Sequence, residues 1–574
     1  MSQPSPRESA DAARAEQLYR QGDLTGAADA FLDLADRSRA VRAAHYRLRA
    51  AEALRDAGKL EAAARALDDI KRRHLQGDDP VRLDLLDAEI ALQAGDSARA
   101  EALLAIPAGD LPVALRQRAL ELRARSEVAS GRPFAAARTR AQLDRLLTGA
   151  DRSANQKEIV DTLAQLDTAT LKAKAQTLRP DDALMPWITE ALKQQGSALP
   201  RTLRRPDRPV GTLLPGRGGN LTPEGYQGVH QVALLLPLSG RLAAVAQSIR
   251  DGFFAAYFAD PEERRPDVRV YDSGDTPDTA IATYRNAVAD GADHVVGPLR
   301  REAVGALFHQ TLQVPALALN HPDSGEVPPP GSAEFGLLPG AEGAQAAEYV
   351  FERGITTAAI IAADADWAER AAHAFRAQFE ADGGLVVGES RVREEEVNYN
   401  IAILKATGGM TGDASANAAV FISMRPQQAR LLLPQMKLLG VTAPVFATSH
   451  VYSGTADAAA DRDLDGLEFC DAPWLFGSVV GRPTLADMTS RLASVNGAGA
   501  RLFAFGMDAY SLLPYLDWLL RHPDAYLDGA TGQLYADGFG RIHRLLGWAR
   551  IENGIAQPVQ GALTTMPQPS GRQP

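Results

Sequence analysis

Three short apolar runs, separated by helical periodicity, occupy residues 230–299. They are Val232–Pro237, Val268–Asp272 and His294–Pro298, and amphipathic helix patterns fill residues 242–258 and 276–289 between them. Apolar runs of four to six residues that alternate with helices are typical of parallel βαβ units. Parallel strands are covered on both faces, so they are apolar throughout rather than at every second position. This stretch therefore predicts an α/β domain built on a parallel sheet.

The alternation continues beyond residue 300 and predicts two doubly wound lobes. Further strands are predicted at residues 315–319, 358–362, 385–387, 418–423 and 444–447. We expect the chain to cross to the second lobe near residue 335 and to return between 445 and 475, with helix 508–521 closing the first lobe. The first lobe then holds about 229–334 and 450–555, and the second about 335–449. A period-two pattern over 531–551 predicts antiparallel strands, and 556–574 is predicted to be a disordered tail.

The first 198 residues repeat at a spacing of 36 or 37 residues. Each copy has a glycine, an alanine seven positions before it and an alanine five positions after it. The glycines are Gly22, Gly58, Gly95 and Gly131, and the alanines are Ala15, Ala27, Ala51, Ala63, Ala88, Ala100, Ala124 and Ala136. Small side chains let antiparallel helices cross closely, and glycine ends the first helix. The pattern favours an all-α solenoid similar to the tetratricopeptide repeat (TPR); the alternative is an irregular α-bundle. Arg140 interrupts the pattern in the last copy.

Residues 199–228 predict a linker between these two parts. The segment holds five prolines, six glycines and the arginine-rich stretch 201–208. Such composition is typical of a domain boundary and a solvated tether.

Bulk composition excludes several classes of function. The formal net charge of −11 disfavours non-specific nucleic-acid binding, which needs a basic face. A single cysteine, Cys470, allows neither an intrachain disulfide nor a thiolate zinc cluster. The polar N-terminus has neither the apolar core of a signal peptide nor a lipid-accepting cysteine, so we expect a cytosolic protein or the mature form of an exported one.

Several segments in the same order carry a resemblance to a known family. They are 232–240, 295–299, 316–320, 466–469, 501–510 and 528–534, together with Ser130–Pro133. The chain resembles a helical repeat domain followed by a two-lobed type I periplasmic-binding-protein fold. It is similar to the LpoA family of penicillin-binding-protein activators, which are outer-membrane lipoproteins of Gram-negative bacteria.

The resemblance implies a regulator rather than an enzyme. Such a protein would bind a class A penicillin-binding protein, a bifunctional peptidoglycan synthase, and stimulate its transpeptidase activity. It also implies a periplasmic location, peptidoglycan as a possible further partner, and an outer-membrane lipid anchor. No residue of this sequence can be assigned to that anchor.

The sequence contains no motif for catalysis, metal or cofactor binding. It has no Gly-x-Ser-x-Gly elbow, no His-Glu-x-x-His and no Walker sequence, so we predict no catalytic residue, no metal and no cofactor. Five residues at predicted strand ends or helix starts are candidates for a ligand site: Ser239, Asp272, Asn320, Ser449 and Asp508. The alternative is that Ser239 and Asp508 cap the helices that follow them.

Two functions therefore remain open. The first is the regulator of a penicillin-binding protein that the resemblance implies. The second is a solute receptor that holds an amino acid or a cell-wall fragment in the cleft between the lobes, for which paired charges are required.

Overall fold

The computed structural model describes residues 5–559 except 108, 110, 180, 205–224, 324, 409, 411–416, 478, 480–481 and 523–524. Contacts divide the chain into two compact units, residues 1–167 and 168–574.

The first unit is all helical. Its helices are α1 Pro6–Arg20, α2 Leu24–Arg37, α3 Ala40–Asp56, α4 Leu60–Asp68, α5 Asp79–Gln93, α6 Ser97–Leu103, α7 Val113–Ala129, α8 Pro133–Asp144 and α9 Gly149–Leu163. The first eight form four consecutive hairpins. The repeated glycine lies between the two helices of each hairpin, with φ between 70° and 85°, a conformation that glycine adopts without steric cost. The predicted helical repeat domain is confirmed.

The repeated alanines mark where the paired helices touch. All eight are fully buried, which confirms that small side chains allow the close crossings. Ion pairs also join the first helices of successive hairpins: Glu16 of α1 binds Arg49 of α3 at 2.8 Å, and Glu52 of α3 binds Arg82 of α5. Arg140 is tolerated at its buried position because it pairs with Glu121 at 2.9 Å.

The second unit begins with three helices, of which the sequence pattern assigned the first two to the helical repeat domain and the third to the linker. They are α10 Thr168–Gln176, α11 Met185–Gln194 and α12 Arg201–Arg204. The ring of Trp187 packs edge-on against Phe539 at 4.4 Å, and Glu190 binds Arg541 at 2.5 Å. The division after Asp167 thus differs from the predicted boundary at 198, because long-range contacts hold this segment to the α/β part. Most of the predicted linker, residues 205–224, lies outside the described residues.

The first lobe contains an eight-stranded sheet in the order β11-β12-β13-β5-β4-β3-β1-β2. Its strands are β1 Gln231–Leu236, β2 Asp267–Asp272, β3 His294–Val296, β4 Ala316–Ala318, β5 Ala333–Phe335, β11 Leu527–Asp528, β12 Gln533–Ala536 and β13 Arg541–Leu545. The first five are parallel to one another, and β12 is antiparallel to β11 and β13. Its helices are α13 Ala243–Ala259, α14 Pro277–Ala289, α15 Arg301–Phe308, α20 Leu485–Arg491, α21 Gly499–Leu512 and α22 Leu516–Arg521.

The second lobe contains a seven-stranded sheet in the order β15-β14-β10-β9-β8-β6-β7. Its strands are β6 Thr357–Ala363, β7 Leu385–Val392, β8 Ala418–Ser423, β9 Val445–Ala447, β10 Glu468–Asp471, β14 Gly547–Glu552 and β15 Ile555–Pro558. Helix α16 Pro339–Glu352 precedes the first of these strands, and helices α17 Asp366–Ala381, α18 Asn400–Thr407 and α19 Pro426–Leu438 connect the parallel strands. The two-lobed α/β architecture that the sequence predicts is confirmed.

The chain crosses between the lobes more often than the sequence pattern predicted. The first crossing follows β5, close to the predicted residue 335, but β10, β14 and β15 belong to the second sheet, whereas residues 450–555 were predicted to lie in the first lobe. The reason is backbone pairing: β10 is parallel to β9 and antiparallel to β14, and periodicity does not reveal which strands pair. Residues 556–558 lie in a strand rather than in the predicted disordered tail, and residues 560–574 lie outside the described residues.

Two glycines let α13 and α21 cross at very short distance in the first lobe. A Cβ atom at Gly252 would lie 1.9 Å from the carbonyl oxygen of Phe503, and one at Gly506 would lie 2.0 Å from that of Ile249. Backbone therefore packs directly on backbone. This crossing brings Ile249 of α13 and Phe505 of α21 to the same end of the first sheet.

Candidate functional site

A pocket of about 540 Å³ lies in the first lobe at the carboxyl ends of its parallel strands. Loops after β1, β3, β4 and β5 and helices α13 and α21 supply its walls. The lining residues are Arg241, Leu242, Val245, Ile249, Leu299, Arg300, Arg301, Glu302, Leu319, Asn320, Leu337, Leu502 and Phe505. This is the edge of an α/β sheet at which ligands bind in such folds.

The pocket combines buried apolar side chains with exposed or half-exposed charges. Ile249, Leu319 and Phe505 are almost completely buried, whereas Arg241 and Glu302 are exposed. Three arginines and one glutamate line the pocket, so positive charge predominates there. Arg300 contacts Asp275 at 3.3 Å and Arg301 contacts Asp323 at 2.9 Å, and neither carboxylate is in the lining.

Asn320 is the one predicted site residue that lines this pocket. Its side-chain amide donates to the carbonyl oxygen of Leu299 at 3.0 Å, and its amide oxygen accepts from the backbone N–H of His321 at 3.0 Å. Asn320 thereby joins the loops that follow β3 and β4. Its side-chain oxygen retains a second lone pair for a ligand.

Ser239 and Asp272 are brought together outside the pocket lining. The Ser239 hydroxyl donates to a carboxylate oxygen of Asp272 at 3.1 Å. The Asp272 carboxylate also accepts hydrogen bonds from the backbone N–H groups of Gly274 and Leu238, each at 3.0 Å. These bonds lower the pKa of Asp272. Ser239 precedes the short 3-10 turn Gly240–Leu242, but its side chain makes no capping bond, so the capping interpretation is wrong for Ser239.

Ser449 lies in the second lobe, where its backbone N–H and hydroxyl both donate to Glu342, at 3.1 and 2.8 Å. Asp508 is fully buried in the middle of α21, which begins at Gly499, so the helix start predicted at 508 and the capping interpretation are both wrong. Asp508 instead accepts the backbone N–H groups of Ala530 and Thr531 at 2.6 and 2.7 Å. Burial raises the pKa of this carboxyl group. Ligand contact by the five predicted residues stays a prediction.

Sequence reasoning missed the three pocket arginines. Arg241 directly follows the predicted turn at Gly240, and Arg300 with Arg301 follows the third apolar run by two residues. Their position after strand ends was a usable signal. What the sequence did not reveal is that these separate loops converge on one pocket, because that depends on strand order.

His450 marks the corresponding edge of the second lobe. It follows β9, and its ring stacks on Trp367, which follows β6, with the ring centres 4.2 Å apart. Burial, together with the nearby positive charge of Arg501, lowers the pKa of His450 to about 4. The ring is therefore neutral at pH 7.

A family model described as "LppC putative lipoprotein" matches residues 21–554, which is most of the chain. The chain belongs to the LppC family. Relatives in other bacteria carry a more specific name. The penicillin-binding protein activator LpoA of Photobacterium profundum is 28% identical over 460 residues, which cover 73% of each chain. The protein of the same name from Mannheimia succiniciproducens is 25% identical over 561 residues, covering 94% of this chain and 93% of that one.

The crystal structure of full-length LpoA from Haemophilus influenzae covers 93% of this chain and 97% of its own, with 20% sequence identity and a TM-score of 0.48. Among the described residues, no helix is both long and apolar enough to cross a bilayer. In the same part of the chain, no three His, Cys, Asp or Glu side chains are grouped as metal ligands.

Proposed function

We propose that this LppC-family protein binds a class A penicillin-binding protein and stimulates its transpeptidase activity. The observation that carries the proposal is similarity along nearly the whole chain, including both units, to proteins named penicillin-binding protein activators. Activation requires no chemistry from the activator. It requires only that the activator bind an active conformation of the synthase more tightly than an inactive one.

The same similarity supports a place in the cell envelope. The family is described as a putative lipoprotein, which fits a protein held at the outer membrane and facing the periplasm. There it would meet peptidoglycan and the synthases that polymerise and cross-link it. We include peptidoglycan as a second partner of this proposal.

A docking face for a protein partner should be exposed and apolar, and the second lobe has such a surface. Most of the strongly exposed large apolar side chains among the described residues belong to β7, the segment before α18, α18 and α19. They are Leu385, Val387, Val397, Ile401, Leu404, Leu431 and Leu438. Exposed apolar clusters of this kind mark protein interaction sites more often than isolated apolar residues do.

Hydrogen bonds of Gln435 hold part of this surface together. Its side chain on α19 donates to the carbonyl oxygen of Val397 at 2.9 Å and accepts the backbone N–H of Tyr399 at 2.7 Å. Leu431 and Leu438 lie four residues before and three after Gln435, on the same face of α19. The exposed side chains around Gln435 thus form one surface, which we call the α18–α19 face; it comprises Val397, Ile401, Leu404, Leu431 and Leu438. We propose that this face binds the synthase.

The test uses the full chain and a purified class A penicillin-binding protein from the same organism. Binding is measured by pull-down, and stimulation by the fraction of cross-linked peptides formed from lipid-linked precursor. We expect binding and a rise in cross-linking with the unaltered protein. Absence of both would remove the proposal.

A variant pair then tests the α18–α19 face separately. Ile401 and Leu438 are 82% and 86% exposed, so the double substitution Ile401→Asp with Leu438→Asp should leave the fold intact. We expect it to abolish stimulation. The matched control is Phe258→Asp in the first lobe, at a side chain 64% exposed, which should stimulate normally. Loss of activity in the control alone would place the docking face on the first lobe.

A further inference from the structure

The pocket at the carboxyl ends of β1, β3, β4 and β5 has the size of a ligand site. Its volume of about 540 Å³ falls in the range of roughly 300–1,000 Å³ that is usual for small-molecule pockets. The proposed activation by surface docking does not involve this cavity.

The apolar walls of the pocket determine one part of its ligand. Eight of its lining side chains are aliphatic or aromatic: Leu242, Val245, Ile249, Leu299, Leu319, Leu337, Leu502 and Phe505. Because α13 and α21 meet through Gly252 and Gly506, their backbones fix the positions of Ile249 and Phe505. Binding an apolar body against these walls would remove hydrocarbon surface from water.

The charged lining residues determine the polar part of the ligand. Arg241, Arg300 and Arg301 border the pocket, and Glu302 is the single carboxylate among the lining residues. Arg241 is exposed, and in the described part of the chain no carboxylate pairs with it. A guanidinium group in this position favours a carboxylate or phosphate, which it can bind with two parallel hydrogen bonds.

The lining also disfavours a free amino acid. A zwitterion needs an anionic partner for its ammonium group as well as a cationic partner for its carboxylate. Glu302 is exposed and lies 3.9 Å from Arg300, so its charge is shared with a neighbouring cation. Arg300 and Arg301 are paired as well, with Asp275 and Asp323, so Arg241 is the lining charge that remains for a ligand among the described residues. It selects a ligand with negative charge and no positive charge.

We propose that this pocket binds a small organic anion with an apolar body and no ammonium group, such as an alkyl carboxylate or an alkyl phosphate. The negative group lies against Arg241, and the hydrocarbon body packs on Val245, Ile249 and Phe505. The proposal goes beyond activation of a synthase and does not rest on it, because activation by surface docking requires no ligand. Failure of one proposal therefore leaves the other standing.

The test is isothermal titration of the full chain with four probes of matched size: octanoate, octyl phosphate, 1-octanol and L-leucine. We expect octanoate or octyl phosphate to bind at least about tenfold more tightly than octanol and leucine, and more weakly as salt rises. Preference for octanoate identifies a carboxylate ligand, and preference for octyl phosphate identifies a phosphate ligand. Equal binding of octanol, tighter binding of leucine, or no binding of either anion would overturn the proposal.

Two variants locate the binding. Arg241→Glu should weaken anion binding at least about tenfold, because it reverses the charge that faces the ligand. Leu242→Trp should reduce binding by filling the cavity. The matched control is Arg269→Glu on β2, an exposed arginine outside the pocket, which should bind the anion normally. Thermal unfolding confirms that each variant is folded, and unchanged binding in both pocket variants would overturn the assignment.

Discussion

Arg501 of α21 binds the buried carboxylate of Asp471 at the end of β10, with Nε 2.8 Å from Oδ1. The Asp471 side chain is 2% exposed and that of Arg501 is 15% exposed. A terminal nitrogen of Arg501 also donates to the carbonyl oxygens of Ser449 and Tyr452, each at 2.8 Å. Since β10 belongs to the second sheet and α21 packs in the first lobe, this pair joins the two lobes where the chain returns to the first.

Arg501→Met should destabilise the second unit strongly. The substitution leaves the Asp471 carboxylate buried without its counter-charge, a change that usually costs about 3–5 kcal/mol. Urea unfolding measures the difference. The control is Arg491→Met, which breaks an exposed pair with Asp487 and should cost no more than about 1 kcal/mol. Equal effects of the two substitutions would contradict a structural role for the buried pair.

His450 should make the protein less stable as the pH falls below neutrality. Its pKa is lowered from 6.5 to about 4 in the folded chain, so between these values the unfolded chain binds a proton that the folded chain does not. Stability is therefore lost as pH falls from about 6.5 to 4, and no further loss from this group occurs below that range. His450→Phe keeps the stacking on Trp367 and removes the titration. Between pH 7 and 5 the free energy of unfolding of this variant should fall by about 1–2 kcal/mol less than that of the parent, allowing for partial exposure of the ring. Parallel pH profiles of stability would refute this.

Gly252→Ala should disrupt the crossing of α13 and α21. The new Cβ would lie 1.9 Å from the carbonyl oxygen of Phe503, and backbone cannot move aside as a flexible side chain can. We expect a loss of at least about 3 kcal/mol, or failure to fold, measured by thermal or denaturant unfolding. Gly340→Ala in α16 is the control, because its nearest neighbour, Ala374, would be 3.7 Å away. That substitution should be neutral or stabilise by up to about 1 kcal/mol.

A fragment of residues 168–574 should be more stable than a fragment of residues 199–574. The shorter fragment lacks Trp187 and Glu190, so it exposes Phe539 and leaves Arg541 without one of its carboxylate partners. Loss of the packed tryptophan alone should cost about 3–5 kcal/mol. Denaturant midpoints of the two fragments provide the measurement. Identical midpoints would show that α10 and α11 contribute nothing to the fold of the second unit.

The same prediction can be checked in the intact chain by Trp187→Ala. We expect the free energy of unfolding of the second unit to fall by a comparable amount, while the unfolding transition of residues 1–167 stays unchanged. A shift confined to the first unit would favour the sequence-based boundary at 198 instead.

Sequence alone identified the helical repeat and the α/β alternation. Gly22, Gly58, Gly95 and Gly131 each follow from local geometry, because a positive φ between two helices requires glycine wherever the chain goes next. Apolar runs such as Val232–Pro237 likewise reflect the burial of both faces of a strand. These features are determined by near neighbours, so a linear pattern is sufficient to predict them.

The tertiary structure alone determined the strand partners, the unit boundary and the pocket. β10 and β14 lie far apart in sequence yet pair in the second sheet, and Trp187 finds Phe539 more than three hundred residues away. Aspartate is a common helix-capping residue, but Asp508 instead accepts hydrogen bonds from a loop about twenty residues later in the chain. Hydrogen bonds and packing between distant segments determine these features, and such long-range interactions produce no periodic pattern in the sequence.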